Sequence, residues 1–561
     1  MPSTGYKNRT TPGVYITELN AFPPSIVGVQ TAVPAFIGYT EMAELNGKPA
    51  FFKSIKVGSM LDFETYFGGR YDAIYTIMQQ TAPDPQKDNY DFSVKYTPTS
   101  PLGSLPPGSP VGGFLYYYLK DPGLDFNLYD SMRLFYANGG GNCYVVSVGS
   151  YASAQQQGGI KGKDLIDGLA VIREQVGPTM LVIPDAVLLS GTPITPSSTG
   201  ATPQAMTAIG PYVPPQTSTE FGDVVGVMLQ QCIDLQDRVA ILDVYSSQSV
   251  RDQASLDAVI SEFHKYIKVD KPSYGMAYFP FLNTTVVQAS DFDYNNLASI
   301  SLLQQILNME NENLYGKSSP TPDPSRYDQV KADIADMTKA TGTETRNQNL
   351  TAALPLLTSI ERLLIDKNSV LPPSAAMAGV YTYIDGTRGV WNAPANVSLY
   401  SVDRTTYKMN DKQQGNLNMP IDGKAIDALR EFVDRGTVVW GARTLDGNSN
   451  DWRYIQVRRT IIYIEQSIKA ALNPFVFAAN DANTWVTVTA MVSNFLENLW
   501  SQGGLMGAKS SDAFTVQCGL GTTMTGMDVL NGYMVVQITL QMIHPAEFIE
   551  LTFKQKMEGV G

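Results

Sequence analysis

Apolar and polar positions recur along this chain with two periods, and the switches between them mark its elements. Near the start a period of two sets Val14 and Ile16 against Tyr15 and Thr17, a short strand behind the Thr11-Pro12-Gly13 turn. Pro23-Pro24 forces an extended break. The apolar runs 25–29 and 33–38 predict strands buried on both faces. Residues 59–67 have helical spacing, with Ser59 as cap and Gly68-Gly69 as stop. From residue 114 onward helix and strand patterns alternate. Helices are expected over 128–138, 165–175, 224–235 and 256–267, and strands over 143–148, 180–184, 238–244 and 274–281. That alternation predicts an α/β unit.

Beyond these alternating elements the chain changes rhythm. Residues 294–366 are helix-rich and stop at Leu371-Pro372-Pro373. A helix over 425–434, a strand over 437–440 and a long helix over 453–472 follow. Asn480-Asp481 can cap a second long helix over 485–502, ended by Gly503-Gly504. Its apolar residues Trp485, Val488, Val492, Phe495 and Leu499 recur at spacings of three and four, a core stripe. Strands are expected over 513–518 and 533–542. Beyond Pro545 the tail alternates, with Ile549, Leu551 and Phe553 on one face. Both chain ends thus read as single amphipathic strands behind proline-marked hinges. A lone strand has unpaired backbone groups and must join a sheet, either its own chain's or a neighbour's.

Composition narrows the function. A chain of 561 residues exceeds one core and predicts several subdomains. It is 43% hydrophobic and only 17% charged, which suits extensive burial between subunits. The net charge of -13, with no run of five Lys or Arg, argues against a nucleic-acid binder. Cys143, Cys232 and Cys518 are isolated, so neither a disulfide framework nor a zinc site is expected. No apolar leader and no apolar stretch of membrane-spanning length stands out, which predicts folding in the cytosol without membrane insertion.

Chemical motifs fail on inspection. His264 and His544 are the two histidines, and neither has a ligand partner at metal spacing. Gly316-Lys317-Ser318 resembles the end of a phosphate loop, but position 311 is Asn where that loop needs Gly, and Pro320 interrupts the helix it requires. Gly139-Gly140-Gly141 precedes a strand, the reverse of a dinucleotide fingerprint. No catalytic, cofactor or metal residues are assigned, and the chain is expected not to be an enzyme. An α/β enzyme and a structural assembly protein are the competing readings.

An ordered set of segments resembles the tail sheath family of contractile phage tails and phage-like contractile injection systems. It comprises Thr11-Pro12-Gly13-Val14-Tyr15-Ile16, Val33-Pro34-Ala35-Phe36-Ile37-Gly38, Phe135 to Val146 with its three glycines, Asp237 to Asp243, Arg388-Gly389-Val390-Trp391-Asn392-Ala393-Pro394, Val439-Trp440-Gly441-Ala442-Arg443 and Pro545-Ala546-Glu547-Phe548. The resemblance implies an α/β (α+β) multidomain fold in which N-terminal strands complete a C-terminal sheath core and large middle domains are inserted. The expected divisions are an arm over 1–20, strands joining the core over 21–45, a small inserted domain over 46–113, an outer α/β domain over 114–370 with a helical region at 286–366, the sheath core over 371–545 and a second arm over 546–561. It implies a structural subunit that stacks as six-fold rings around an inner tube and contracts, with baseplate and terminator proteins as further partners. It would be assembled in the bacterial cytoplasm, as part of a virion tail or phage-like particle. Intersubunit strands would be Val14, Tyr15 and Ile16 at one end and Ile549, Leu551 and Phe553 at the other. Hinges would be Pro12, Gly13, Pro23, Pro24 and Pro545. Candidates for tube contact are Arg453, Arg458, Arg459, Lys469 and Lys509.

Overall fold

A computed structural model describes residues 26–80, 90–96, 113–189, 192–193, 216–317 and 319–550. They divide into a large unit, residues 30–462 with 544–550, and a small unit, residues 26–29 with 463–543.

The large unit is organised by an eight-stranded sheet. Its strands are β1 (Pro34–Thr40), β2 (Ile55–Val57), β3 (Cys143–Ser150), β4 (Met180–Val182), β5 (Val239–Asp243), β6 (Gly275–Phe279), β7 (Asp427–Phe432) and β8 (Gly436–Val439), in the spatial order β8-β7-β6-β5-β4-β1-β3-β2. The six central strands run parallel, and an antiparallel strand closes each edge. Parallel strands need helical cover on both faces, so their sequences are continuous apolar runs. Successive residues of β1 show the two faces. Phe36 meets Phe135 of helix α1 (Leu128–Ala137) with ring centroids 5.1 Å apart. Ile37 turns the other way, towards Gly168 of helix Gly162–Arg173, where an added Cβ would lie 2.7 Å from the Ile37 side chain. Helix α2 (Ser374–Arg388) lies against α1. Their approach requires Gly379: a Cβ there would stand 2.6 Å from the Phe135 carbonyl oxygen.

Among the described residues most of the expected elements form, with exceptions at 427–432 and 26–30. Residues 427–432 are strand β7, not helix. Ala, Leu, Arg and Glu favour a helix, but this segment fits between β6 and β8, and tertiary pairing overrides a weak local preference. Residues 26–30 form no strand. They lie along the end of a helix, where the Val29 N–H donates to Ser467 Oγ at 3.1 Å, so no strand partner is present.

The middle regions pack on one another. A three-stranded antiparallel sheet, Thr76–Gln79, Phe114–Lys120 and Phe92–Lys95, contacts the helices Ile300–Leu314 and Pro355–Asn368. Asn368 Nδ2 donates to the Tyr75 hydroxyl at 2.8 Å, and Arg70 Nη2 donates to Asn368 Oδ1 at 3.0 Å. Gly316 follows one of these helices, which is the wrong context for a phosphate loop.

Chain order places a topological switch point beside β1, whose neighbours β3 and β4 follow it in sequence on opposite sides. In open α/β sheets the crevice at such a point is the usual ligand site. Here Asp185 fills it. Its carboxylate is fully buried and accepts from the N–H groups of Tyr39 (2.9 Å), Asn127 (2.8 Å) and Leu128 (3.1 Å). It thereby caps α1 from a distant part of the chain. Gly38 makes the room, because a Cβ there would stand 2.4 Å from the Asp185 Oδ2. Asp243, at the end of β5, caps α2 in the same way by accepting from the Ser374 N–H at 2.7 Å. Burial pushes both carboxyls up to about 7, against the opposing pull of these hydrogen bonds.

Two predictions follow from these contacts. Gly379→Ala should destabilise the chain by about 1–3 kcal/mol in denaturant unfolding, because α1 and α2 must separate or distort. The raised carboxyls favour the protonated forms on folding. Their contribution is therefore full below the ordinary carboxylate range and is lost as pH rises through about 7. Asp243→Asn retains an acceptor for Ser374 and cannot ionise. Its melting temperature should fall less than that of the wild type as pH is raised from about 4 to about 8.

Candidate assembly surfaces

The small unit is built on two long helices and a minimal sheet. Helix α3 (Ile455–Leu472) contributes its second half to this unit, and helix α4 (Ala482–Ser501) follows. Asp481 caps α4 by accepting from the Thr484 N–H at 3.0 Å, and Gly503 takes a positive φ just beyond its end. Val488, Val492, Phe495 and Leu499 are buried, as the spacing predicted, and Trp485 is half-buried with its indole N–H donating to Asn480 at 2.7 Å. Strands β9 (Phe514–Gln517) and β10 (Gln537–Leu540) pair antiparallel, and among the described residues no other strand joins them. A two-stranded sheet is marginal alone, and among the described residues no strand pairs with either of its outer edges.

Apolar side chains stand uncovered around this unit. Met527, Leu530 and Tyr533 are all exposed along the connection between β9 and β10, and Val476 and Phe477 are exposed between α3 and α4. Phe477 is fully exposed and holds φ +68, a left-handed conformation unfavourable for a bulky residue. Sequence periodicity gave no sign of this loop, since its residues belong to neither a strand nor a helix pattern.

The tail returns to the large unit at a polar clasp that sequence reasoning did not nominate. The Glu547 carboxylate accepts from Arg443 Nε at 3.0 Å and Nη2 at 2.6 Å, from Asn418 Nδ2 at 2.6 Å and from the Tyr454 hydroxyl at 3.2 Å. Burial pushes the Glu547 carboxyl up, but the Arg443 and Asn418 bonds outweigh it and hold it below the ordinary range. Arg443 is 2% exposed. Its N–H donates to Asp427 Oδ1 at 2.8 Å, and burial pushes the Asp427 carboxyl far above the ordinary range. Gly441 allows Asp427 in, since a Cβ there would stand 2.5 Å from Oδ1. Trp440 is 38% exposed and lies against Phe432, on the surface side of the edge strands. The one available signal for the clasp was the pair of charged residues, Arg443 and Glu547, set in otherwise apolar or small surroundings.

The remaining candidates separate. Val14, Tyr15, Ile16, Pro12, Gly13, Pro23, Pro24, Leu551 and Phe553 lie outside the described residues. Ile549 and its neighbour Phe548 are exposed at 79% and 74%, and residues 546–550 form no strand. Pro545 precedes the clasp. Arg458 and Arg459 are buried within the large unit. The Arg458 guanidinium lies 3.6 Å from the Trp452 ring centroid and 4.3 Å from that of Tyr274, and donates to Ser273 Oγ at 2.8 Å. Arg459 pairs with Asp385 through two bonds, 2.9 and 2.6 Å, with both side chains 4% exposed. Helical position alone does not tell which face of α3 is covered. Arg453 is half-buried and donates to the Ser449 carbonyl at 2.9 Å. Lys469 and Lys509 are exposed on the small unit. Of the five candidates, Arg458 and Arg459 are thus buried, Arg453 half-buried, and Lys469 and Lys509 exposed.

His264 pairs with Asp422 at 2.8 Å, and His544 lies beside Tyr454. Among the described residues no group of three or more His, Cys, Asp or Glu is placed to hold a metal ion, and no helix is long and apolar enough to cross a membrane. Cys143 and Cys232 are buried free thiols, and Cys518 is half-buried and free.

Removing Asp385 strands a buried guanidinium. Asp385→Ala should cost about 3–5 kcal/mol in denaturant unfolding. Lys469→Glu and Lys509→Glu should each change stability by no more than about 0.5 kcal/mol.

Comparison with known proteins places these features. Residues 448–556 match the phage tail sheath C-terminal domain family. That stretch holds the small unit's helices and sheet together with the Glu547 tail. The whole chain resembles the helical sheath of the anti-feeding prophage in its contracted state, at 25% identity, covering 98% of this chain and 100% of that one with a TM-score of 0.53. It resembles the contracted sheath of the PVC extracellular contractile injection system at 24% identity, with 98% and 99% covered and a TM-score of 0.53. A chain from the anti-feeding prophage baseplate is similar at 24% identity, with 98% and 100% covered and a TM-score of 0.52. Among curated proteins none matches.

Proposed function

We propose, taking this chain as the structural protein of the tail sheath family that its fold and C-terminal domain make it, that its copies polymerise as stacked six-fold rings around an inner tube and contract to drive that tube through a target envelope. The observation that carries the reading is the incomplete sheet of the small unit. Strands β9 and β10 offer two open edges within the segment that matches the tail sheath C-terminal domain. The two chain ends carry the alternation of strands that lack a partner: Val14, Tyr15 and Ile16, and Ile549, Leu551 and Phe553. An end strand from a neighbouring copy satisfies the edge and links subunits without a covalent bond. The resemblance to a contracted helical sheath supports the same arrangement.

The exposed apolar side chains of the small unit, Phe477 and Leu530 among them, suit burial between copies. Lys469 and Lys509 suit a weak, salt-sensitive contact with an inner tube, one able to release. Contraction is a change between two packings of the same subunits, driven by the difference in their free energies and needing no nucleotide. Particle context extends the reading to baseplate and terminator proteins as further contacts and to assembly in the bacterial cytoplasm.

Electron microscopy of the purified full-length chain tests this. Hollow tubes of uniform width are the expected result. Chains lacking residues 1–20 or 549–561 should stay folded and lose the tubes. A wild-type chain that stays monomeric at high concentration, with and without an inner tube protein, would sink the proposal.

A further inference from the structure

We propose that Glu547 is the fixed anchor of the C-terminal arm. Pull exerted on that arm by a neighbouring copy then passes into the large unit through Arg443, and the arm pivots beyond Glu547 and not at Pro545. The inference rests on the reading of the tail as an intersubunit arm.

The path of the chain raises the question. Residues 463–543 belong to the small unit, yet 544–550 belong again to the large one. Something must hold this short return, because 546–550 form no strand and Phe548 and Ile549 are mostly exposed. Glu547 is the hold. Both of its oxygens are engaged, Oε1 by Arg443 Nε and Asn418 Nδ2, and Oε2 by Arg443 Nη2 and the Tyr454 hydroxyl. A bidentate guanidinium–carboxylate pair fixes direction as well as distance. The His544 ring, 5.6 Å from that of Tyr454, steadies the approach three residues earlier.

The receiving side is built into the central sheet. Arg443 donates its N–H to Asp427, the first residue of β7, which pairs with Tyr278 of β6. Its Nη1 also donates to the Gly447 carbonyl at 3.3 Å. The tail is thus tied to the sheet through two side chains. Arg443 is 2% exposed, so removing Glu547 leaves a buried cation without its carboxylate partner. One residue past the clasp, cover ends. The boundary between held and free chain therefore falls between Glu547 and Phe548.

Electron-spin distance measurement on the full-length protein tests the anchor. Nitroxides would be placed at Ile421→Cys and Ala546→Cys, with Cys518→Ser to remove the half-buried thiol. Ile421 is fully exposed and lies three residues from Asn418. A single narrow distance is expected with Glu547 intact. Glu547→Gln should lose that narrow peak and give a broad distribution, while melting stays cooperative. Asn418→Ala removes one bond without stranding Arg443, and should broaden the peak less. It keeps the test decisive where Glu547→Gln fails to fold. A distribution already broad in the wild type, or a narrow peak that survives both substitutions, overturns the anchor. Tube formation by the wild type, read separately by microscopy, reports on the sheath reading alone.

Discussion

A mostly parallel sheet leaves a crevice at the carboxyl ends of its strands, and the large unit depends on how that crevice is closed. Asp185 sits in it, wholly buried, with three backbone N–H groups converging on its carboxylate. The same contact ends β1, begins α1 and fills the space where α/β sheets usually admit a ligand. Asp243 repeats the arrangement at the start of α2. Two helices that must approach closely at Gly379 are thus each aimed by a carboxylate from the sheet. A buried carboxyl is costly without partners, and backbone N–H groups at a helix start are the partners that also need an acceptor.

The two units differ in completeness. The large one finishes its sheet with antiparallel strands at both edges and covers both faces. The small one has two long helices with a good apolar stripe but, among the described residues, only two strands, and it leaves large apolar side chains in the open. That is the physical form expected of a subunit whose lowest free energy is reached in company. Its exposed surfaces are no defect of folding, since Val488, Val492, Phe495 and Leu499 of the α4 stripe are buried as expected. The middle regions supply a separate mixed layer, a three-stranded antiparallel sheet against two helices.

Most elements were legible because their signals are local. Ser59 before an apolar run, Asp481 before α4 and the glycines after both are statements about a few neighbouring residues, and they hold. The tail sheath resemblance was legible because its segments recur in order. The failures are non-local. Residues 427–432 have helix-forming side chains and become a strand because two strands flank the site. Arg458 and Arg459 sit on a helix as a solvent-facing pair would, yet Trp452, Tyr274 and Asp385 enclose them. The clasp joins residue 443 to residue 547 across 104 positions, and neither charge alone announces the other.

By itself the sequence determined the periodic content of this protein: the apolar runs that must be covered, the α4 stripe and the capped helix ends. Those follow from backbone geometry and water, which act on each segment separately. Only the tertiary structure decided which charges are buried, which glycines admit a neighbour's atoms, and where the tail is held. Those depend on distances between residues remote in sequence, and no period in the chain encodes them.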